Sequence, residues 1–265
     1  MRILRIATLA ATVVATPLAA QRTADQARLS LGIAFGASAG TSLWKVENQP
    51  IFDGPLVDSL DLTRNTRSGL TIVFHGTYFP DEHWGVTGEA MLLGLGLEDQ
   101  CVLATSSGSF PNQSVCQSIN GNQTSLSAVS VGLGGLYRVW SRKVISPYLR
   151  ANLGAVISTQ STVKMQGLRF SDPSDTEGAD FAVYTDDNRR SMTLLVGVGA
   201  GFTAALAPGY QLRWEIRDNI VGLDRVTGTT GANFQHPPTD YVFKHVFSVT
   251  FGFDVVLERR RGRRY

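Results

Sequence analysis

Apolar and polar residues alternate at period two through most of the chain, most cleanly near its end. In residues 243–257, Phe247, Val249, Phe251, Phe253, Val255 and Leu257 fall on one face, and Ser248, Thr250, Gly252 and Asp254 on the other. Residues 29–37 carry a matching pattern, with Leu29, Leu31, Ile33 and Phe35 set against Ser30, Gly32, Ala34 and Gly36. Two end strands of the same character are suited to pair and close a barrel with no free edge. Alternating stretches also occupy residues 66–79, 84–97, 124–139, 147–163, 190–206 and 210–221. One of them, 84–97, is apolar on both faces from Met91 to Leu97 apart from its glycines, which implies a bulge or a partly apolar interior.

The eight strands are joined alternately by long and short connections. Residues 38–65, 98–123, 164–189 and 222–242 read as long loops lacking sustained alternation, and 80–83, 140–146 and 207–209 as tight turns. This rhythm predicts an all-β fold: an eight-stranded antiparallel up-and-down transmembrane β-barrel, its short turns on one side of the membrane and its long loops on the other. A soluble barrel or sandwich would alternate too, with the apolar face inside. Three features favour the membrane. Lys is nearly absent from the strands, whose polar face is mostly Gly, Ser, Thr and Ala, as a crowded lumen requires. The strands are longer than usual in globular proteins. Aromatics gather beside the short turns, where Tyr78, Phe79, Trp84, Trp140, Tyr148 and Tyr210 are expected to form an interfacial girdle.

The 265 residues show no linker or composition break, so one folded domain is expected over 21–257. Ahead of it, Arg2 and Arg5, the apolar run from Ile6 to Val14 and the small residues up to Ala20 read as a secretory signal peptide over 1–20. After it, 258–265 holds five Arg and one Glu, a basic tail of charge +4 on the short-turn side. The whole chain is +2, so once the leader's two Arg are set aside the barrel carries about −4. Basic residues confined to a tail, with no interleaved aromatics, argue against nucleic acid as a partner. The tail is either solvated or laid on an anionic surface.

Two cysteines in an exported chain, Cys101 and Cys116, read as one disulfide pinning a long loop. The candidate chemistry inside the barrel is the set of ionisable residues at lumen-facing positions: His75, Glu89, Arg138, Arg150, Arg213, Glu215, Arg217 and Asp254. These either pair and lock a narrow lumen or line an ion path. No Gly-x-Ser-x-Gly elbow occurs, and His245 and Ser248 fall on opposite strand faces, so no catalytic residues and no cofactor are assigned. Asp172, Asp175, Glu177, Asp180, Asp186 and Asp187 make one long loop acidic. Without EF-hand spacing, solvation is the expectation over a divalent ion, and no metal site is assigned.

The eight-strand layout resembles the small outer-membrane β-barrel family that includes the OmpA transmembrane domain and OmpX, over the whole mature chain. The stretch ending at Leu257 is similar to that family's C-terminal assembly signal, with Thr250, Gly252, Val255 and Leu257 at its defining positions, although Leu replaces the usual terminal aromatic. The resemblance implies the bacterial outer membrane as location, outer-membrane lipid and lipopolysaccharide as surroundings, and the barrel assembly machinery as a partner. The function expected is structural or surface interaction through four long extracellular loops, with an unknown ligand there. Passage of small solutes through the lumen is the alternative, and an outer-membrane enzyme the third.

Overall fold

The computed structural model describes residues 28–258 apart from 121, 141–143, 159–160, 187–189 and 232–235. The stretch read as a signal peptide, 1–20, and the tail beyond 258 lie outside the described residues. Among the described residues, twelve strands and one helix follow in order: β1 (Arg28–Gly40), β2 (Trp44–Asp53), β3 (Leu56–Arg67), β4 (Gly69–Phe79), β5 (Trp84–Thr105), α1 (Phe110–Asn120), β6 (Gln123–Arg138), β7 (Ile145–Ser158), β8 (Met165–Arg169), β9 (Ala179–Tyr184), β10 (Met192–Ala207), β11 (Tyr210–Val226) and β12 (Thr239–Glu258).

Eight of these form a closed antiparallel ring, β1-β4-β5-β6-β7-β10-β11-β12, with β12 returning to β1. The closing seam runs from Arg28 opposite Glu258 to Gly40 opposite Val246. Alternation places the large apolar side chains outside, and Phe35, Phe74, Leu133, Leu153, Ile216 and Phe251 are all exposed there. The unbroken run of outward apolar residues on β12 goes from Phe247 to Leu257, with His245 separating it from exposed Phe243. At ordinary strand rise and barrel tilt that stretch is about 26 Å tall, close to the apolar band of a membrane barrel.

The expected loop over 38–65 is instead a hairpin, β2–β3, and its β3 strand continues the sheet by pairing with the upper part of β5, from Arg67 opposite Gly96 to Ser59 opposite Thr105. Two features hid it. Its buried face carries Asp58 and Arg64 beside Leu60 and Leu62, so polarity does not track burial. A register shift between Val46 and Gln49, where Asn48 has φ 56°, also breaks the period. Asparagine is tolerated in that left-handed region, and Asp61 accepts the Asn48 N–H at 2.9 Å.

The other long connections are shorter than expected for the same reason. β5 extends to Thr105 rather than Leu97, and α1 and the hairpin β8–β9 occupy stretches read as loop. The doubly apolar stretch of β5 resolves as a partly apolar interior, because Met91, Leu93, Leu95 and Leu97 all point inward and are buried. One seam ends early. The β10–β11 ladder stops at Leu195 opposite Val221, while β10 still pairs with β7 at Met192 and β11 still pairs with β12 up to Val226.

Candidate functional site

The inward face of the ring is built from residues two apart on each strand. β7 turns Tyr148, Arg150 and Asn152 inward, β11 turns Arg213, Glu215, Arg217 and Asn219, and β4, β5, β6 and β12 contribute His75, Glu89, Arg138 and Asp254. All eight ionisable residues singled out from the sequence are buried in the lumen. Small residues opposite them make room. An added Cβ on Gly32 would lie 2.2 Å from Asp254 Oδ1 and 2.7 Å from His75 Nε2, and one on Gly201 would lie 2.7 Å from Tyr148 Oη.

The charges form one connected plug. Arg213 donates to Asp254 Oδ2 from Nε at 3.1 Å and from Nη2 at 2.8 Å. His75 Nε2 meets Asp254 Oδ1 at 3.0 Å, and Ser30 Oγ donates to Asp254 at 3.3 Å. Glu89 accepts from Arg217 Nη1 at 3.0 and 3.1 Å and also from Arg150 and Asn152. Glu215 accepts from Arg217 Nε at 2.8 Å and from Tyr148 Oη at 2.6 Å. Arg138 lies nearer the short turns, its guanidinium 3.8 Å above the Phe79 ring. Buried ions are tolerated only with such partners, because desolvation otherwise outweighs their attraction. Chemically the arrangement is a cross-linked polar stopper: Glu89, Glu215 and Asp254 are each committed to arginines, whereas Arg138 meets an aromatic ring and its Nε has no hydrogen-bond partner among the described residues.

Two residues placed in the interfacial girdle belong here instead. Phe79 is 1 % exposed and Tyr148 is 2 % exposed, both inside the barrel, whereas Tyr78, Trp84, Trp140 and Tyr210 are exposed on its outside. The girdle reading followed closeness to a turn, but the strand parity that Phe79 shares with His75 and Tyr148 shares with Arg150 decides the side. Thr250 and Gly252 of the assembly-signal stretch face inward on β12, and Val255 and Leu257 face outward.

A second ordered region caps the long-loop end. Cys101 and Cys116 form the disulfide that ties the end of β5 to α1, with a Cα–Cα distance of 5.3 Å. Arg64 on β3 grips Asp99 on β5 with two bonds of 2.6 Å and donates to Thr162 O at 3.0 Å, beside Trp44 Nε1, which donates to the same oxygen. Gln49 reaches Thr230, and Tyr184 Oη donates to Gln49 at 2.9 Å. Sequence reading missed these residues, although Arg64 and Asp99 keep the strand parity of their buried neighbours. Among the acidic residues of 164–189, Asp172 accepts from Ser174, and Asp175 accepts the N–H groups of Ser171, Gly178 and Glu177. Those bonds hold both carboxyls below the usual range and make them turn caps. His245 Nδ1 faces Asp218 at 2.7 Å on the outer wall, away from inward-facing Ser248.

Comparison with known proteins agrees with this architecture. The family model described as outer membrane protein beta-barrel domain matches residues 6–254. Among solved structures, Neisserial surface protein A is similar at 13% identity over 86% of this chain and 97% of that one, with a TM-score of 0.41. OprG from Pseudomonas aeruginosa is similar at 10% identity, 88% and 97% coverage and a TM-score of 0.46. Ail, the attachment invasion locus protein of Yersinia pestis, is similar at 13% identity, 86% and 98% coverage and a TM-score of 0.35. No curated protein sequence matches the chain. With residues 6–254 matched by its model, the chain belongs to the outer membrane protein beta-barrel domain family and is a protein of the bacterial outer membrane.

Proposed function

We propose that the barrel passes no solute and acts through the ordered layer at its extracellular end, as a surface-interaction protein anchored in outer-membrane lipid. The observation that carries this reading is the plug: Glu89, Arg150, Glu215, Arg217, Arg213 and Asp254 bond across the lumen from both sides of the ring. A conducting path needs groups free to exchange with hydrated ions, and these groups are occupied by one another. The extracellular connections support the other half of the proposal. The β2–β3 hairpin, α1 and β8–β9 pack on buried Leu60, Leu62, Val115, Ile119 and Met165, so they present a fixed surface rather than free loops. No catalytic role is assigned. Lipopolysaccharide as a lateral neighbour and the assembly machinery as the inserting partner are part of the same proposal.

The test is planar-bilayer conductance of the mature chain refolded into lipid, with heat-modifiable gel mobility verifying the fold. Folded protein is expected to give no discrete channels. Discrete, charge-selective steps that change with Arg150→Ala or Glu89→Ala would sink the proposal and assign the function to the lumen.

A further inference from the structure

At the long-loop end, α1 and the β8–β9 hairpin pack together and leave an open groove of about 600 Å³ between them. That size lies within the range of small-molecule sites. Its floor is apolar: Leu168 is exposed, and the rings of Phe110 and Phe170 are half-buried beside it. Its rim carries Gln117 from α1, Gln166 from β8 and Asp180 from β9, all three exposed. Asp180 stands opposite Leu168 across the hairpin. None of the three rim side chains has a hydrogen-bond partner among the described residues, so their polar atoms face the groove uncommitted.

The backbone beneath the groove is already satisfied. Ser118 Oγ accepts the Leu168 N–H at 2.7 Å, Ser114 Oγ accepts the Phe170 N–H at 3.0 Å, and Asn122 Nδ2 donates to Gln166 O at 3.4 Å. The edge of β8 turned away from β9 is thereby closed by side chains of α1 and its exit, and an extended peptide finds no strand edge to join. Gly167 lets the two elements approach: an added Cβ would lie 2.5 Å from Ser118 Oγ and 2.8 Å from Val115 O. The Phe170 ring is set against the turn at Gly178, where an added Cβ would come 2.8 Å from it. The Cys101–Cys116 disulfide fixes α1 to β5, so little ordering is left for a ligand to bring about.

We infer that this groove binds a short neutral saccharide. A sugar ring presents an apolar face of C–H groups and an edge of hydroxyls, each both donor and acceptor. The face suits a floor of phenylalanine and leucine, and the hydroxyls suit planar amides, which carry a donor and an acceptor side by side. Charge sets the neutrality. Among the described residues Asp180 is the one charged side chain lining the groove, so a sulfated or phosphorylated sugar would meet a like charge with no cation to offset it. The inference names a partner class for the surface-interaction reading and rests on it.

The experiment is NMR of the full mature protein in lipid nanodiscs, observing the Leu168 methyls and the Phe110 and Phe170 rings. The probes, titrated separately, are lactose, maltose, N,N′-diacetylchitobiose, sulfated lactose and an end-capped tetra-alanine peptide. At least one neutral disaccharide is expected to give saturable shifts, while the lipid-facing methyls of Leu133 and Leu153 stay still. Gln117→Ala combined with Gln166→Ala should weaken that binding roughly tenfold, the scale of two neutral hydrogen bonds, with heat-modifiable mobility retained. Absence of saturable shifts with all three neutral disaccharides would overturn the site, whether or not the peptide binds. Unchanged affinity in the folded double variant would overturn it as well, and tighter binding of sulfated lactose than of lactose would overturn its neutrality. Folded protein that is silent in the bilayer and takes none of the sugars would lose the saccharide and keep its surface role, whereas discrete channels would overturn the surface-interaction reading itself.

Discussion

Asp254 is the acceptor on which most of one side of the plug depends: it takes Arg213 through two bonds, His75 through one and Ser30 through another. Replacing it with Ala leaves the fully buried Arg213 guanidinium without its main counter-charge. The expected loss is about 3–5 kcal/mol, the range for breaking a buried pair from one side. Replacing both partners, Arg213→Met with Asp254→Leu, removes the desolvated charges together and should restore most of that loss. Equilibrium urea unfolding in lipid vesicles measures both; a single variant no less stable than the double would contradict the pairing. The lumen charges were legible because each keeps the parity of a polar strand face. Tyr148 and Phe79 were misplaced because an aromatic near a turn suggests the interface, whereas steric room beside Gly201 and Gly85 admits them to the lumen. Gln49, Arg64 and Asp99 were missed because they fall in stretches read as loop, where strand parity was not applied.

The elements at the long-loop end were read as loops because burial there is shared among several segments, none of which is amphipathic on its own. In α1, Val115, Cys116 and Ile119 are buried together with Asn112 and Ser114, a mixed face that no helical hydrophobic period announces. Asn112 Nδ2 donates to Asp58 at 2.8 Å, so the polar members of that face are satisfied by β3 rather than by water. The disulfide of sequence separation 15 adds a covalent tie between this helix and β5. In the chain-entropy account a loop of that size contributes about 3 kcal/mol. Serine at both Cys101 and Cys116 should therefore raise amide hydrogen exchange through Phe110–Asn120 by up to roughly a hundredfold. Exchange in the ring strands should stay unchanged, and the heat-modifiable form should survive. Loss of that form would instead make the disulfide a requirement of the barrel itself.

As a whole molecule the barrel is closed by strands from opposite ends of the described chain, and the alternation of those two end strands made the closure readable before any contact was known. A cysteine pair at Ala37 and Val249, which face each other across the seam, should cross-link only in the closed ring when built without the native cysteines. In a refolding time course the cross-link is expected no earlier than the heat-modifiable form, and its appearance in unfolded chain would deny that it reports closure. The plug has a bearing on how that seam finds its alignment. Several of its bonds are made between residues close or moderately close in sequence, with separations of 2 for Arg217 and Glu215, 41 for Arg213 and Asp254 and 61 for Arg150 and Glu89. Others, Arg217 to Glu89, His75 to Asp254 and Ser30 to Asp254, span 128, 179 and 224 residues and form only as the ends meet. Between Phe247 and Leu257 the outer face of the seam strand is apolar, so a slip of two residues between β1 and β12 would leave its lipid contacts there almost unaltered. Inside, the same slip would carry Asp254 away from His75 and Ser30. The stopper in the lumen is therefore also a gauge, reading at the moment of closure a register to which the lipid is blind.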